Sequence, residues 1–167
     1  MIVGLAPGLR GANRTGRPFT GDFAGDLLYR TLLQSGFATG SYAAHAGDGL
    51  QLRGARIINA VRCVPPQNKP ETAEIAACGR FLAADLAALP SARAILALGG
   101  IAHNAVLAAK ELRRARYPFA HGAMHQLPNG ILLADSYHCS RLNTNTGRLT
   151  PAMFEAVIAE LARRLAA

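Results

Sequence analysis

The sequence predicts an α/β fold built on a mainly parallel sheet with helices on both faces, and three observations predict it. Apolar strand-like runs alternate with amphipathic helical stretches along most of the chain, the pattern that parallel βαβ units require. Glycine-rich loops follow strand ends at residues 7–22 and at Gly99-Gly100. At 167 residues, half of them apolar, the chain is long enough to bury one core and is read as a single domain, residues 1–167.

Residues 2–6 read as a strand. Residues 23–35 read as a helix with Ala24, Leu27, Leu28, Thr31 and Leu32 on one face. Residues 36–54 are Gly-rich and irregular, and 56–62 form the next strand. A helix starts near Glu71 and carries Ile75, Cys78, Leu82, Leu86 and Leu89 on one stripe. Residues 94–98 are a buried strand that Gly99-Gly100 ends, with a helix over 101–112. Segments 120–127 and 130–135 pair around Pro128-Asn129-Gly130, a strong turn signal. The last helix takes Thr150 as N-cap and Pro151 as first residue, with Phe154, Val157, Ile158, Leu161 and Leu165 inward. Ligands on such sheets sit at the carboxyl ends of strands. Residues 7–22, Asn59 and the segment after 135 all fall at such ends.

The formal charge is +8, and of the 18 basic residues only Lys69 and Lys110 are lysine. Arginine forks phosphate and stacks on bases, so the bias fits nucleic acid; a genome rich in Ala, Arg and Gly codons gives the same bias. No apolar run approaches the ~20 residues of a membrane span, and no basic leader precedes the first strand. The expected compartment is the cytoplasm. Three cysteines there make no disulfide framework.

Gly4-Leu5-Ala6-Pro7-Gly8 leads into Gly11-Ala12-Asn13-Arg14-Thr15-Gly16-Arg17-Pro18-Phe19-Thr20-Gly21-Asp22. Such a loop exposes backbone N–H groups and guanidiniums suited to a phosphate-bearing ligand. Asn59 interrupts the apolar run Ile57-Ile58-Asn59-Ala60-Val61. Its amide offers one donor beside one acceptor, suited to an edge with the complementary pair; a strand-end Asn closing a turn is the plainer alternative. Near the other end stand Ser136-Tyr137-His138-Cys139-Ser140-Arg141-Leu142-Asn143 and Thr146-Gly147-Arg148-Leu149-Thr150.

The first and last of these blocks, in this order, resemble the two signature motifs of the uracil-DNA glycosylase superfamily, most closely its type B (family 5) branch. Asn59-Ala60-Val61-Arg62-Cys63 resembles that family's uracil-reading strand. The resemblance implies a three-layer α/β/α sandwich around a central, mainly parallel four-stranded sheet, and a monomeric enzyme that removes uracil from DNA. It implies that Gly4 to Gly8 contact the base, Phe19 stacks on it, Asn59 reads its edge and His138 donates to O2, where leaving-group charge accumulates. Asp22 is the acid expected to orient or activate water, because Leu5 and Ala6 stand where other branches carry a catalytic polar residue. A core role for Phe19 and an N-cap role for Asp22 are the competing readings. Asn13, Arg14 and Arg17 are expected to contact DNA. Ser140, Arg141, Leu142 and Asn143 resemble the loop that wedges into the minor groove, with Leu142 the plug; Cys139 and Arg141 replace prolines common in the family, which puts the rigidity of that loop in question.

The resemblance also implies a 4Fe–4S cluster. Cys63 and Cys78, on either side of Pro65-Pro66-Gln67-Asn68-Lys69-Pro70, match two of its four ligands; the upstream pair is not in this sequence, so a truncated product, a mis-assigned start or a cluster-free variant is expected. Cys78 also fits an ordinary core thiol. His121 and His125 have zinc-like spacing but no third ligand nearby in sequence, and a core or surface role is expected for His45, His103, His121 and His125. Two rival functions stay open: a glycosylase for other deaminated or damaged bases such as hypoxanthine or ethenocytosine, and a DNA-binding fragment without full activity.

Overall fold

The computed structural model of the chain describes residues 1–166, which divide into two compact units. The first comprises residues 1–7 and 57–136, and the second residues 8–56 and the described residues from 137 on.

The first unit is built on a five-stranded sheet. Its strands are β1 (Ile2–Gly4), β4 (Ile57–Asn59), β5 (Ala94–Leu98), β6 (Met124–Gln126) and β7 (Leu132–Ser136), in the order β4-β1-β5-β7-β6. β1 runs parallel to β4 and β5, and β5 parallel to β7. The sheet therefore has five strands, not the expected four. The fifth is β6, which pairs antiparallel with β7, His125 opposite Leu133, and adds a hairpin edge. Asn129, with φ at +71°, makes the tight return between them.

Helices α3 (Thr72–Ala87) and α4 (Gly100–Ala109) belong to this unit. α3 starts with a capping box, Glu71 and Glu74 each accepting from the other's backbone N–H. α4 follows Gly99 and stops three residues short of the expected end, because Glu111 turns left-handed at φ +56°. Val3, Ile58, Ile95, Ala97 and Leu133 of the sheet pack with Leu82, Ala102, Val106 and Leu107 of the helices into one core. Residues of the opposite sheet face, Leu96, Leu98 and Ala134, are equally buried. This two-sided burial is why β5 reads as an unbroken apolar run.

The second unit holds α1 (Ala12–Thr15), α2 (Phe23–Gln34), a short hairpin of β2 (Ala38–Thr39) with β3 (Gln51–Leu52), α5 (Arg141–Asn145) and α6 (Pro151–Ala166). α2 buries Leu27, Leu28, Tyr29 and Leu32, and α6 buries Phe154, Val157, Ile158 and Leu161. Thr150 Oγ1 accepts from Met153 N–H at 3.2 Å, the expected cap. Two segments read as loops contain helical turns: residues 12–15, and residues 141–145, where Ser140 accepts from Asn143 N–H. Residues 36–54, read as irregular, hold the β2–β3 hairpin. No helix of the described residues is long and apolar enough to cross a membrane.

Candidate active site

In the first unit, Gly4 and Asn59 are register partners at the carboxyl ends of neighbouring parallel strands. Beyond them the chains stay tied, Ala60 N–H donating to Gly4 C=O and Val61 N–H to Leu5 C=O, both at 2.9 Å. Leu5, Ala6 and Pro7 are half-buried. Asn59 Oδ1 is buried and has no hydrogen-bond partner. An unpaired buried amide oxygen costs about 1–3 kcal/mol. A turn-closing asparagine would use that oxygen locally, and this one does not.

The second unit assembles the loop after Pro7 with the segment after Ser136. The ring of His138 lies 5.8 Å from that of Phe19, tilted by 33°. Phe19 is 6% exposed and its φ is +56°. A bulky residue rarely adopts that conformation, and it persists only where its surroundings over-determine it. His138 sits in crowded surroundings, and desolvation pushes its pKa down to about 4. The imidazole is therefore neutral at neutral pH, with one N–H to give. Its own carbonyl accepts from Asn143 Nδ2 at 2.8 Å. Next to it, Cys139 is wholly buried and burial pushes its thiol up to about 12.

Asp22 caps α2, its Oδ1 accepting from Gly25 N–H at 3.1 Å. The other oxygen faces the backbone of Gly8 and Gly11: a Cβ on Gly8 would lie 3.3 Å from Oδ2, and one on Gly11 would overlap it. Burial raises the carboxyl pKa above its ordinary 3.8, against the lowering effect of the Gly25 and Ala24 N–H groups. Asp22 is thus a helix cap with one carboxylate oxygen uncommitted to that cap.

Among the arginines, Arg14 on α1 and Arg141 on α5 are exposed, as are Asn13 and Leu142. Arg141 lies 5.2 Å over the ring of Phe23, and Leu142 is 72% exposed. Arg17 stands in a different setting from Arg14 and Arg141. Its guanidinium grips both carboxylate oxygens of Asp48, at 2.8 and 2.7 Å, and donates from Nε to Thr20 Oγ1. Nη2 also donates to the His45 carbonyl at 3.1 Å, so Nε, Nη1 and Nη2 are all engaged within the protein. Ser140 and Asn143 are likewise engaged locally, as the α5 cap and as the latch on His138.

Cys63 is exposed and Cys78 half-buried, both free, while Cys139 is buried in the second unit. A 4Fe–4S cluster takes four thiolates in most proteins, so the donor set within this sequence does not complete one. His103, His125 and Asp135 bring potential ligand atoms within 4.8 Å of one another. However, His103 binds Asp135 Oδ1 through Nδ1 at 2.7 Å and the Tyr117 carbonyl through Nε2 at 2.8 Å. Both nitrogens are committed, leaving no lone pair for a metal ion. His103 is a satisfied core histidine, as expected. His121 precedes β6, and its Nδ1 lies 3.5 Å from Ser136 Oγ.

Sequence reasoning missed Asp48, Tyr29 and Tyr42, which hold the Phe19 loop. The one signal was an acid, rare in this basic chain, inside the Gly-rich stretch.

The first unit thus carries an unpaired asparagine oxygen at the end of β4, and the second a neutral histidine beside a buried aromatic. Residues 1–162 match the family described as the uracil DNA glycosylase superfamily, and the chain belongs to that superfamily. It is 49% identical over 166 residues to a type-5 uracil-DNA glycosylase of Thermus thermophilus, an alignment covering 99% of this chain and 75% of that protein. The type-5 uracil-DNA glycosylase of Mycobacterium leprae is 45% identical, with 99% and 73% covered. A type-4 uracil-DNA glycosylase of Thermotoga maritima is 37% identical, over only 61% of this chain and 45% of its own. The likeness to type-5 proteins thus runs through the whole chain, and that to the type-4 protein through part of it.

Proposed function

We propose that this chain, acting as one catalytic domain, hydrolyses the N-glycosidic bond of uracil in DNA and leaves an abasic site. The observation that carries this reading is the orphaned Asn59 Oδ1, a buried acceptor that uracil N3–H satisfies. The Asn59 amide N–H₂ then donates to O4. Cytosine presents an acceptor at N3 and a donor at N4, so both bonds would fail. Such unpaired groups are the strongest source of discrimination in a binding site.

In the reaction the C1′–N1 bond breaks with its electron pair leaving on uracil. Neutral His138 donates to O2, where the charge gathers; a preorganised donor of this kind is worth about 3 kcal/mol. Phe19 stacks on the base. Water adds to the cationic C1′, and its proton passes to the Asp22 carboxylate. Arg14, Asn13 and Arg141 meet the phosphates, and Leu142 fills the space the extruded nucleotide leaves. Cys63 and Cys78 are the thiolates a 4Fe–4S cluster would draw on. With the set incomplete here, no step is routed through it.

The test is excision of uracil placed opposite guanine, opposite adenine and in single strands, read as alkali-labile sites. Cleavage at uracil and not at cytosine is expected. Intact strands from a folded sample would refute the reading.

A further inference from the structure

We infer that Asp48, which lies outside both motifs, is a positioning residue for the base-stacking Phe19, acting through a clasp with Arg17, Tyr29 and Tyr42. The inference rests on Phe19 serving the excision proposed above.

Asp48 makes four bonds from one carboxylate whose side chain is fully shielded from solvent. It takes the bidentate Arg17 fork and accepts from Ala43 N–H at 2.9 Å and Leu50 N–H at 3.1 Å. The Arg17 hydrogen bonds, first of all, hold its carboxyl well below the usual carboxylate range, so it is ionised throughout the working pH range. The Arg17 guanidinium lies 5.2 Å over the ring of Tyr29 and 5.7 Å from that of Tyr42, which themselves stack at 4.8 Å. Bidentate and stacked geometry of this kind is specific to arginine.

The two tyrosines convert this grip into a hold on Phe19. Tyr29 OH donates to the Pro18 carbonyl at 2.5 Å, and Tyr42 OH to the Phe19 carbonyl at 3.3 Å. Burial pushes the Tyr42 hydroxyl up to about 12, which keeps it a donor. From the other side Gly25 packs on the same carbonyl so closely that a Cβ there would overlap it. Thr15 Oγ1 lies within 3.2 Å of the Arg17 and Thr20 carbonyls. Every carbonyl from Arg17 to Thr20 is thus held, around the one residue at φ +56°. The unfavourable backbone of Phe19 is kept by contacts that converge on it, and Asp48 anchors them.

The experiment is a double-mutant cycle on single-turnover excision, with Asp48→Asn and Tyr42→Phe made in the wild-type and in a Phe19→Leu background. Asp48→Asn is expected to slow excision about tenfold or more, and Tyr42→Phe severalfold, at temperatures where melting curves show a folded chain. In the Phe19→Leu background both losses should shrink to less than twofold, because the residue they position is gone. Equal losses in the two backgrounds, or a wild-type rate for Asp48→Asn, would overturn the inference. Should Asp48→Asn not fold, Tyr42→Phe carries the cycle alone. If the wild-type chain excises no uracil, the functional reading fails first. The clasp is then judged by hydrogen exchange: the Thr20 amide, bonded to the Arg17 carbonyl, must exchange faster in Asp48→Asn, and unchanged exchange would refute it.

Discussion

Asp22 and Gly11 touch: the carboxylate of one lies against the Cα of the other, and a Cβ on Gly11 would come within 3.0 Å of Asp22 Cγ as well as overlapping Oδ2. Gly11 has φ at −96° and ψ at −113°. The atoms that a side chain there would meet first all belong to Asp22. Gly11→Ala should therefore push Asp22 off its position, cut single-turnover excision by ~10-fold or more, and lower the melting temperature through the disturbed α2 cap. Gly8→Ala, where the Cβ would have 3.3 Å, should cost much less. Similar rates for the two variants would show that Asp22 is not positioned by this contact.

A second prediction concerns the pH dependence of excision. In the proposed reaction Asp22 must be ionised to take a proton, and its pKa is raised by burial. The rate should therefore climb with pH through a midpoint above the ordinary 3.8. His138 titrates near 4, so it stays neutral through its ordinary 6.5 and should contribute no inflection there. A rate that falls as pH rises through 6.5 would mean that His138 works as an imidazolium. His138→Gln keeps an N–H donor and should retain more activity than His138→Ala, which loses ~10²-fold or more.

A third prediction concerns stability rather than rate. His103 gives both ring nitrogens to acceptors, Asp135 and the Tyr117 carbonyl. That arrangement holds the imidazolium. Burial works against the charge, but the hydrogen bond and charge of Asp135 outweigh it and the pKa rises from 6.5. The contribution is fully present below 6.5, declines as the unfolded chain loses its proton, and is gone above the raised folded value. The melting temperature of the wild type should thus fall across this window relative to His103→Gln. At pH 6 that variant should be less stable by ~3 kcal/mol, since it leaves the buried Asp135 with only the longer His125 contact at 3.4 Å. Parallel melting profiles for the two chains would remove His103 as the cause.

The elements with a strong local signature were legible in the sequence. β5 is apolar throughout, α6 carries its cap and its 3.6-residue stripe, and Asp22 caps α2 as its position allowed. The fifth strand is a matter of counting: its pairing with β7 was visible at Pro128-Asn129-Gly130, but its membership of the main sheet depends on tertiary register. Arg17 was read only as a phosphate contact, because its type and neighbourhood suit phosphate. Its partner Asp48 is 31 residues away in a stretch with no periodicity, and no local pattern announces such a pair. The same holds for Asn143, whose grip on the His138 carbonyl depends on the turn of α5 between them.

The last prediction concerns the wedge. Residues 139–143 carry Cys139 and Arg141 where the family often has the stiffening residue proline. The structure supplies rigidity by other means. Cys139 is fully buried, Ser140 caps α5, Asn143 Nδ2 holds the His138 carbonyl, and Leu149 N–H holds the Asn143 carbonyl at 3.0 Å. Leu142 projects from this base with 72% of its surface exposed, so it contributes almost nothing to folding. Unstacking a base from a duplex costs a few kcal/mol, and a single strand escapes most of that cost. Leu142→Ala should therefore leave the melting temperature unchanged and lower excision from duplex DNA by ~10-fold, while single-stranded uracil is processed within about twofold of wild type. Asn143→Ala releases the His138 carbonyl instead, so it should slow duplex and single-stranded substrates alike. The check is the ratio of single-turnover rates on the two substrates for each variant. Equal losses on both substrates for Leu142→Ala would show that the leucine is not a wedge.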